Sequence, residues 1–291
     1  MNELQSTSKQ RSSFNNWLRL TLVDNPMFDE SKREQRRFLR YGLAMRIVIL
    51  ALFAMFYLWL ILESYLGHTD GSEPFCYLEL VLLTLALPAS IYGSISGERE
   101  RATWDALVLT RLTASQIIFG KLIWRMRIIA LIVVLSIIPI IVSRFNPDSY
   151  DTTNWMVFRT QLVLCSWSLL LCTFGLWVSS STKRSITSLA VITGSLIGVL
   201  LALPVLYAMF TNMVSGSQTN ADPISQVMYT LNPFVCMGPL LGTRPYGDSP
   251  LIAGGEFGYP QIAVFLGLAL LFIVFTYWRI IRLERPIRGM R

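Results

Sequence analysis

Long apolar runs separated by polar stretches dominate this sequence. Six of the runs approach the roughly 20 residues that an α-helix needs to cross a bilayer. A backbone surrounded by lipid must satisfy its own hydrogen bonds, so each run predicts a helix. The runs are Leu43–Tyr65, Leu78–Ser96, Ile117–Val142, Val157–Ser179, Ile186–Met213 and Pro260–Ile281. The pattern therefore predicts an all-α polytopic membrane protein with six transmembrane helices.

The positions of the lysine and arginine residues predict the orientation of these spans. Basic residues are concentrated in the N-terminal arm, in the segment Gly97–Lys121, at Lys183 and Arg184, and after Trp278. The other three connections carry mostly acidic residues. Because cytoplasmic loops of membrane proteins are enriched in Lys and Arg, this distribution predicts that both termini are cytoplasmic. An even number of spans agrees with that orientation.

Three regions follow from this arrangement. They are a cytoplasmic arm (1–42), a six-span domain (43–281) and a short cytoplasmic tail (282–291). Within the arm, arginines and lysines alternate with aromatic residues between Phe28 and Tyr41. This stretch fits an interfacial helix in contact with the lipids of an anionic leaflet. An ordinary juxtamembrane anchor without a mechanical role explains it equally well.

Composition narrows the class of protein. The chain is 53% hydrophobic and 15% charged, with a mean hydropathy of +0.50, whereas soluble domains carry about 25% charged residues. A net charge of +7 can indicate nucleic-acid binding. Here the basic residues lie beside apolar runs, so we expect no nucleic-acid partner. With His68 as the single histidine and no CxxC pair, we expect neither a zinc site nor an enzymatic centre.

The longest outer connection, Val214–Tyr259, contains a second kind of apolar stretch. Val227–Leu241 is too short to span a bilayer and is interrupted by two prolines and a glycine. It predicts a re-entrant segment, or alternatively a loop packed on the outer helix ends. Cys236 lies in this stretch, and Cys76 lies on the same side of the membrane. An oxidising compartment would permit a disulfide between them, although their spacing does not establish one.

Few ionisable residues fall inside the predicted spans. Glu63, Glu79 and Arg159 lie near the outer span ends. Intramembrane charges are candidates for function, but these three are close enough to the surface to snorkel to it. The sequence shows no internal repeat and no series of buried acids, two features that a secondary transporter would favour.

The segment Gly97–Lys121, hereafter the 97–121 segment, is much longer than a turn between two spans requires. Apolar residues recur there at helical spacing, namely Trp104, Leu107, Val108 and Leu112. Thr113 and Gln116 have the spacing of a capping box, which predicts a new helix from Ala114. Arg101 and Asp105 are four residues apart and would pair on a continuous helix. The pattern predicts a short helix, a sharp break and a second helix that continues into the third span.

This pattern resembles the permease subunits of ABC-2 type transporters. In that family the second span ends in a Gly-Glu-Arg-Glu-like cluster, followed by a Thr, leucines, a Thr-Pro-Leu-Ser/Thr turn and a Gly-Lys pair. The matching positions here are Gly97-Glu98-Arg99-Glu100, Thr103, Leu107, Leu109, Thr110-Arg111-Leu112-Thr113 and Gly120-Lys121. Two positions depart from the pattern, because Ala102 replaces a usual Gly and Arg111 replaces a usual Pro.

The resemblance implies one permease half of an ATP-driven exporter in a bacterial inner membrane. Two such subunits, identical or different, would line a path, and each would bind a cytoplasmic ABC ATPase through the 97–121 segment. The sequence contains no G-x-x-x-x-G-K-[ST] loop, so we expect ATP and Mg²⁺ in that partner and no cofactor in this chain. A non-transporting scaffold, a signalling component and a secondary transporter remain alternatives.

We expect six residues of the 97–121 segment to contact the ATPase: Glu98, Arg101, Trp104, Asp105, Leu109 and Arg111. A large apolar side chain such as Trp104 suits a buried contact between proteins. Flanking charges would set the register and the choice of partner. Alternatively, Trp104 lies at the level of the lipid headgroups, as interfacial tryptophans do.

Overall fold

The structure is a computed structural model. It describes residues 73–109, 112–143, 154–202, 204–206, 231–241 and 258–288, with isolated positions and short pieces at 47, 51, 54–59, 61–62 and 209. The predicted interfacial helix, Glu63 and Arg111 lie outside these residues. The first predicted span is described only in part, and residues 54–59 within it are helical.

From residue 73 onward, the described chain is built of helices joined by turns. In chain order they are α1 (Glu73–Ile91), α2 (Ser96–Glu100), α3 (Trp104–Leu109), α4 (Ala114–Ser143), α5 (Asn154–Ser181), α6 (Ser185–Ile197), α7 (Pro233–Leu241) and α8 (Tyr259–Arg288). Helix α6 continues as a π-helical turn over Gly198–Ala202. The described residues contain no β-strand, and the all-α prediction is confirmed.

Five helical stretches are long and apolar enough to cross a membrane. They are Phe75–Glu100, Ala114–Val142, Trp155–Ser181, Ser185–Leu206 and Tyr259–Glu284. These stretches coincide with the second to sixth predicted spans. The prediction of a polytopic membrane protein is therefore confirmed, whereas the first predicted span lies largely outside the described residues. Helix α8 continues past the predicted end of the last span and into the predicted tail.

Helix α5 lies at the centre of the bundle. It packs most extensively against α8 and also contacts α1, α4, α6 and α7. The most apolar part of α5 is 72% buried, a larger share than in any other described span. Small residues permit this packing: a Cβ atom at Gly175 would lie 2.3 Å from Cγ2 of Ile91. Helix α1 and helix α5 therefore approach each other closely where α1 ends.

Helix α7 is a short helix that packs against two of the spans. One face of α7, including Cys236 and Met237, is buried against the bundle, and α7 contacts α1 and α5. At its start, the Asn232 side chain accepts from the Phe234 backbone N–H and donates to the Leu200 carbonyl, each at 3.0 Å. This contact joins the start of α7 to the π-helical turn that follows α6. The re-entrant interpretation and its alternative, a loop packed on the outer helix ends, both stay predictions.

The structure answers the disulfide question that the sequence left open, and it shows that the expected snorkelling of Glu79 and Arg159 is wrong. No disulfide joins Cys76 to Cys236. Both residues are buried, and the Cys236 thiol instead donates to the Pro233 carbonyl at 3.3 Å within its own helix. Glu79 and Arg159 do not reach the surface either, since both side chains are buried inside the bundle.

Candidate functional site

The chain turns sharply where the second span meets the 97–121 segment. Helix α1 ends at Ile91, and α2 begins at Ser96, after four intervening residues. The buried Ser179 hydroxyl of α5 holds this turn: it accepts from the backbone N–H groups of Ile95 and Ser96, each at 3.0 Å. The same hydroxyl donates to the Tyr92 carbonyl at 2.9 Å. It satisfies the unpaired N–H groups at the start of α2, as an N-cap side chain would.

Glu98 connects α2 to the third span. Its carboxylate forms a salt bridge with the Lys121 ammonium on α4, and both side chains are largely shielded from solvent. An ion pair in such surroundings is screened less by salt than one on the open surface. Both residues belong to the family-like pattern, but the pattern gives no sign that they pair.

The next two residues bind the ends of two further helices. The Arg99 guanidinium donates to the carbonyls of Ser180 and Thr182, at 3.2 and 2.9 Å, where α5 ends. The Glu100 carboxylate accepts from the backbone N–H and the hydroxyl of Ser185, at 3.0 and 2.7 Å, where α6 begins. A cation at a helix C-terminus and an anion at a helix N-terminus both complement the helix dipole.

We call Glu98, Arg99 and Glu100 the charged clasp. These three consecutive residues connect α2 to the third turn of α4, to the end of α5 and to the start of α6. From the sequence, we expect Glu98 to contact the ATPase, and Arg99 and Glu100 are recognised only as part of the family-like pattern. In the structure their charged groups bind other parts of the same chain, so they fix α2 relative to three spans.

Helix α2 ends in a Schellman motif. The Ala102 N–H donates to the Arg99 carbonyl at 3.2 Å, and the Thr103 N–H donates to the Glu98 carbonyl at 2.9 Å. These are the two hydrogen bonds that define the motif. Ala102 occupies its left-handed position, with φ of +55°, which favours glycine because a side chain is strained there. This left-handed geometry explains why the family pattern has glycine at the position that Ala102 occupies in this chain.

Helix α3 presents one face to the bundle and the other to solvent. Trp104 is only 4% exposed, Val108 is also buried, and α3 packs against α8. The opposite face exposes Asp105 and Leu109, and the Leu109 side chain is 48% exposed. Of the predicted apolar stripe, Trp104, Leu107 and Val108 lie on α3 and are directed toward the chain's own core, whereas Leu112 lies beyond the end of α3.

The start of α4 confirms the predicted capping box. The Thr113 N–H donates to the Gln116 side-chain oxygen at 2.9 Å, and the Gln116 N–H donates to the Thr113 hydroxyl at 3.4 Å. Helix α4 begins at Ala114, as the spacing predicted. The predicted order of short helix, break and second helix is correct, with the break placed between Leu109 and Ala114.

The six residues expected at the interface occupy different surroundings. Glu98 is bound within the clasp, Trp104 is buried, and Arg111 lies outside the described residues. Arg101, Asp105 and Leu109 are exposed. Arg101 and Asp105 do not lie on one helix, because the turn at Ala102 separates α2 from α3; the expected pairing on a continuous helix is wrong.

Comparison with known families completes the description of this site. No curated protein sequence matches the chain. The family model for ABC-2 family transporter proteins matches residues 4–285, a range that includes the clasp, both short helices and all five candidate spans. The chain therefore belongs to the ABC-2 transporter family, as an integral membrane permease.

Proposed function

We propose that this permease is one half of an ATP-driven exporter and that α3 receives a separate cytoplasmic ATPase. The observation that carries the proposal is the division of α3 into a buried face and an exposed face, beside a clasp that binds three spans. A partner that moved α3 would act on these spans through contacts already present in the chain.

The exposed face of α3 has the chemistry of a contact between proteins. Leu109 offers an apolar side chain to solvent, and Asp105 on the same helix is exposed. Arg101 adds an exposed positive charge just before the turn. An apolar centre with opposite charges beside it suits specific binding, since burial contributes affinity and the charges select the partner.

Trp104 has a different role in this proposal from the one that the sequence suggested. Its indole is buried and α3 packs against α8. We therefore assign to Trp104 the attachment of α3 to the bundle, and to Leu109 the apolar contact with the ATPase. Because α3 is attached to α8 in this way, a force that the ATPase exerts on α3 is transmitted to the bundle.

The clasp would pass this movement to the spans. Helix α3 follows α2 after a turn of three residues. Helix α2 is bound to α4 through Glu98, to α5 through Arg99 and to α6 through Glu100. A displacement of α2 therefore acts on three spans together. In this account ATP and Mg²⁺ bind the partner, and the present chain hydrolyses no ATP.

The rest of the assembly follows the family. We propose that two permease subunits, identical or different, line the path, that both termini are cytoplasmic, and that the membrane is a bacterial inner membrane. The concentration of Lys and Arg in the connections on one side of the spans supports the cytoplasmic location of both termini.

The proposal is tested by changing only the exposed face of α3. A permease with Asp105→Lys and Leu109→Ala should insert and purify like the original chain but lose the ATPase that co-purifies with it. The ATPase is identified as a chain with a phosphate-binding loop and with nucleotide hydrolysis of its own. Lys183→Glu is the control, since it reverses an exposed charge near the start of α6 without touching α3. Retention of the ATPase and of transport by the double variant would place the binding surface elsewhere.

A further inference from the structure

Glu79 is an acid enclosed inside the membrane-spanning bundle. It lies on α1, about 9 Å along the helix from Glu73, and only 1% of it is exposed. Its Oε2 atom accepts a hydrogen bond from Gln161 Nε2 of α5 at 2.8 Å. Ser136 of α4 lies within hydrogen-bonding reach of the same carboxyl group, while its hydroxyl donates to the Val133 carbonyl at 2.9 Å. Three helices therefore surround a group that carries a negative charge at neutral pH when it is exposed to water.

Two oxygen atoms of this cluster lack a donor. Glu79 Oε1 and Gln161 Oε1 are both buried, and neither has a hydrogen-bond partner among the described residues. A buried acceptor left without a donor is unfavourable, because it has lost its bonds to water. The two atoms belong to side chains that already share one hydrogen bond, so a single additional donor between them would satisfy both.

No cation neutralises Glu79 within the described part of the chain. Helix α5 brings one titratable group near the carboxyl of Glu79, the Cys165 thiol. Arg159 instead extends beside Gly258, at the start of α8. Helix α7, which also packs on α1, contributes the Cys236 thiol, and that thiol donates within its own helix. The basic residues of α4 lie toward its opposite end, and α6 carries no charged residue.

We infer that Glu79 binds a proton in this conformation and forms a reciprocal acid–amide pair with Gln161. Protonated on Oε1, Glu79 donates to Gln161 Oε1 while its Oε2 accepts from Gln161 Nε2. One proton taken from solvent supplies the missing donor for both oxygens and removes the buried charge. An ionised carboxylate in the same place only accepts hydrogen bonds, so it would leave Gln161 Oε1 without a donor, and it would leave a charge in surroundings of low polarity.

This proton site is linked to the contact between α1 and α5. When water reaches the carboxyl, it ionises at neutral pH and the pair with Gln161 is lost. Proton binding and α1–α5 packing are then coupled, so each favours the other. Conformations of the permease that separate these helices would release a proton, and a rise in pH would favour those conformations. The inference does not depend on ATPase binding to α3.

Infrared spectroscopy of the full chain in lipid bilayers tests the site directly. At pH 7 the wild-type chain should show the carbonyl band of a protonated carboxylic acid, and Glu79→Gln should abolish it. Asp105→Asn is the matched control, since it removes an exposed carboxyl group on α3, away from the α1–α5 contact, and should leave the band unchanged. Gln161→Leu should keep the band but shift it, because the carbonyl loses its hydrogen-bond donor. Absence of the band from the wild type, or a band that Gln161→Leu does not move, would overturn the inference.

Thermal unfolding over a pH series gives a second readout. Above about pH 4.3 the unfolded chain releases the Glu79 proton while the folded chain keeps it, so the folded state loses stability as pH rises. The unfolding equilibrium constant of the wild type should rise relative to that of Glu79→Gln by up to tenfold per pH unit. Parallel pH profiles would contradict a bound proton. Stabilisation of the wild type, but not of Glu79→Gln, by added Na⁺ or K⁺ would assign the site to a metal cation and refute the proposal.

Discussion

Replacing Ala102 by glycine should stabilise the permease. Ala102 occupies the left-handed position of the Schellman motif, with φ of +55°. This conformation costs a residue with a side chain about 1–2 kcal/mol. Glycine avoids that strain, but its greater freedom in the unfolded chain takes back about 0.4–1 kcal/mol. The expected net gain in the free energy of unfolding is about 0.5–1 kcal/mol.

The assay is reversible unfolding of the purified chain in mixed micelles. Ala106→Gly is the matched control: it makes the same chemical change at an exposed position inside α3. There the substitution should lower the free energy of unfolding by about 1 kcal/mol, because glycine is a poor helix former. Opposite signs at the two positions would support the Schellman turn. Equal destabilisation at both positions would refute the left-handed assignment at Ala102, and with it the proposed geometry between α2 and α3.

Three further predictions concern the bundle and its orientation. Gly175→Ala should lower the free energy of unfolding by about 1–3 kcal/mol through overpacking, because its new methyl group would lie 2.3 Å from Ile91 of α1. Gly194→Ala is the control: its methyl group would meet nothing within 4 Å, so it should not lower the free energy of unfolding. If both variants have the same stability, the close contact of α5 with α1 does not exist. Glu100→Gln should speed hydrogen exchange of the Ser185 amide and the first turn of α6, and unchanged exchange would remove Glu100 from the clasp. A cysteine at position 148 should react with an impermeant reagent added from outside the cell, and labelling only from the cytoplasm would reverse the topology.

The features that sequence predicted correctly are local. Thr113 and Gln116 are three residues apart, so their reciprocal hydrogen bonds depend on the first turn of one helix and on nothing else. The spacing from Trp104 to Val108 likewise predicts a helix face, although the helix ends before Leu112. Periodicity alone does not state whether that face meets the chain's own core or a partner, and here the contact of α3 with α8 decides it.

The features that sequence missed are contacts between distant parts of the chain. Glu100 and Ser185 are 85 residues apart, and Glu79 and Gln161 are 82 residues apart. No local pattern distinguishes a glutamate that caps another helix from one exposed to solvent. The expectation that Glu79 snorkels was wrong for a related reason. Its distance from the span end is short, but α4 and α5 enclose it from the sides.

Site-specific photo-crosslinking along α3 tests the central claim most directly. A crosslinking amino acid would be placed at position 105 or 109, on the exposed face, and at position 108, on the buried face, in the full chain within native membranes. The account predicts adducts with the ATPase from positions 105 and 109, and none from position 108. Adducts from none of the three positions, while the ATPase still co-purifies with the permease, would contradict the claim that α3 receives the ATPase.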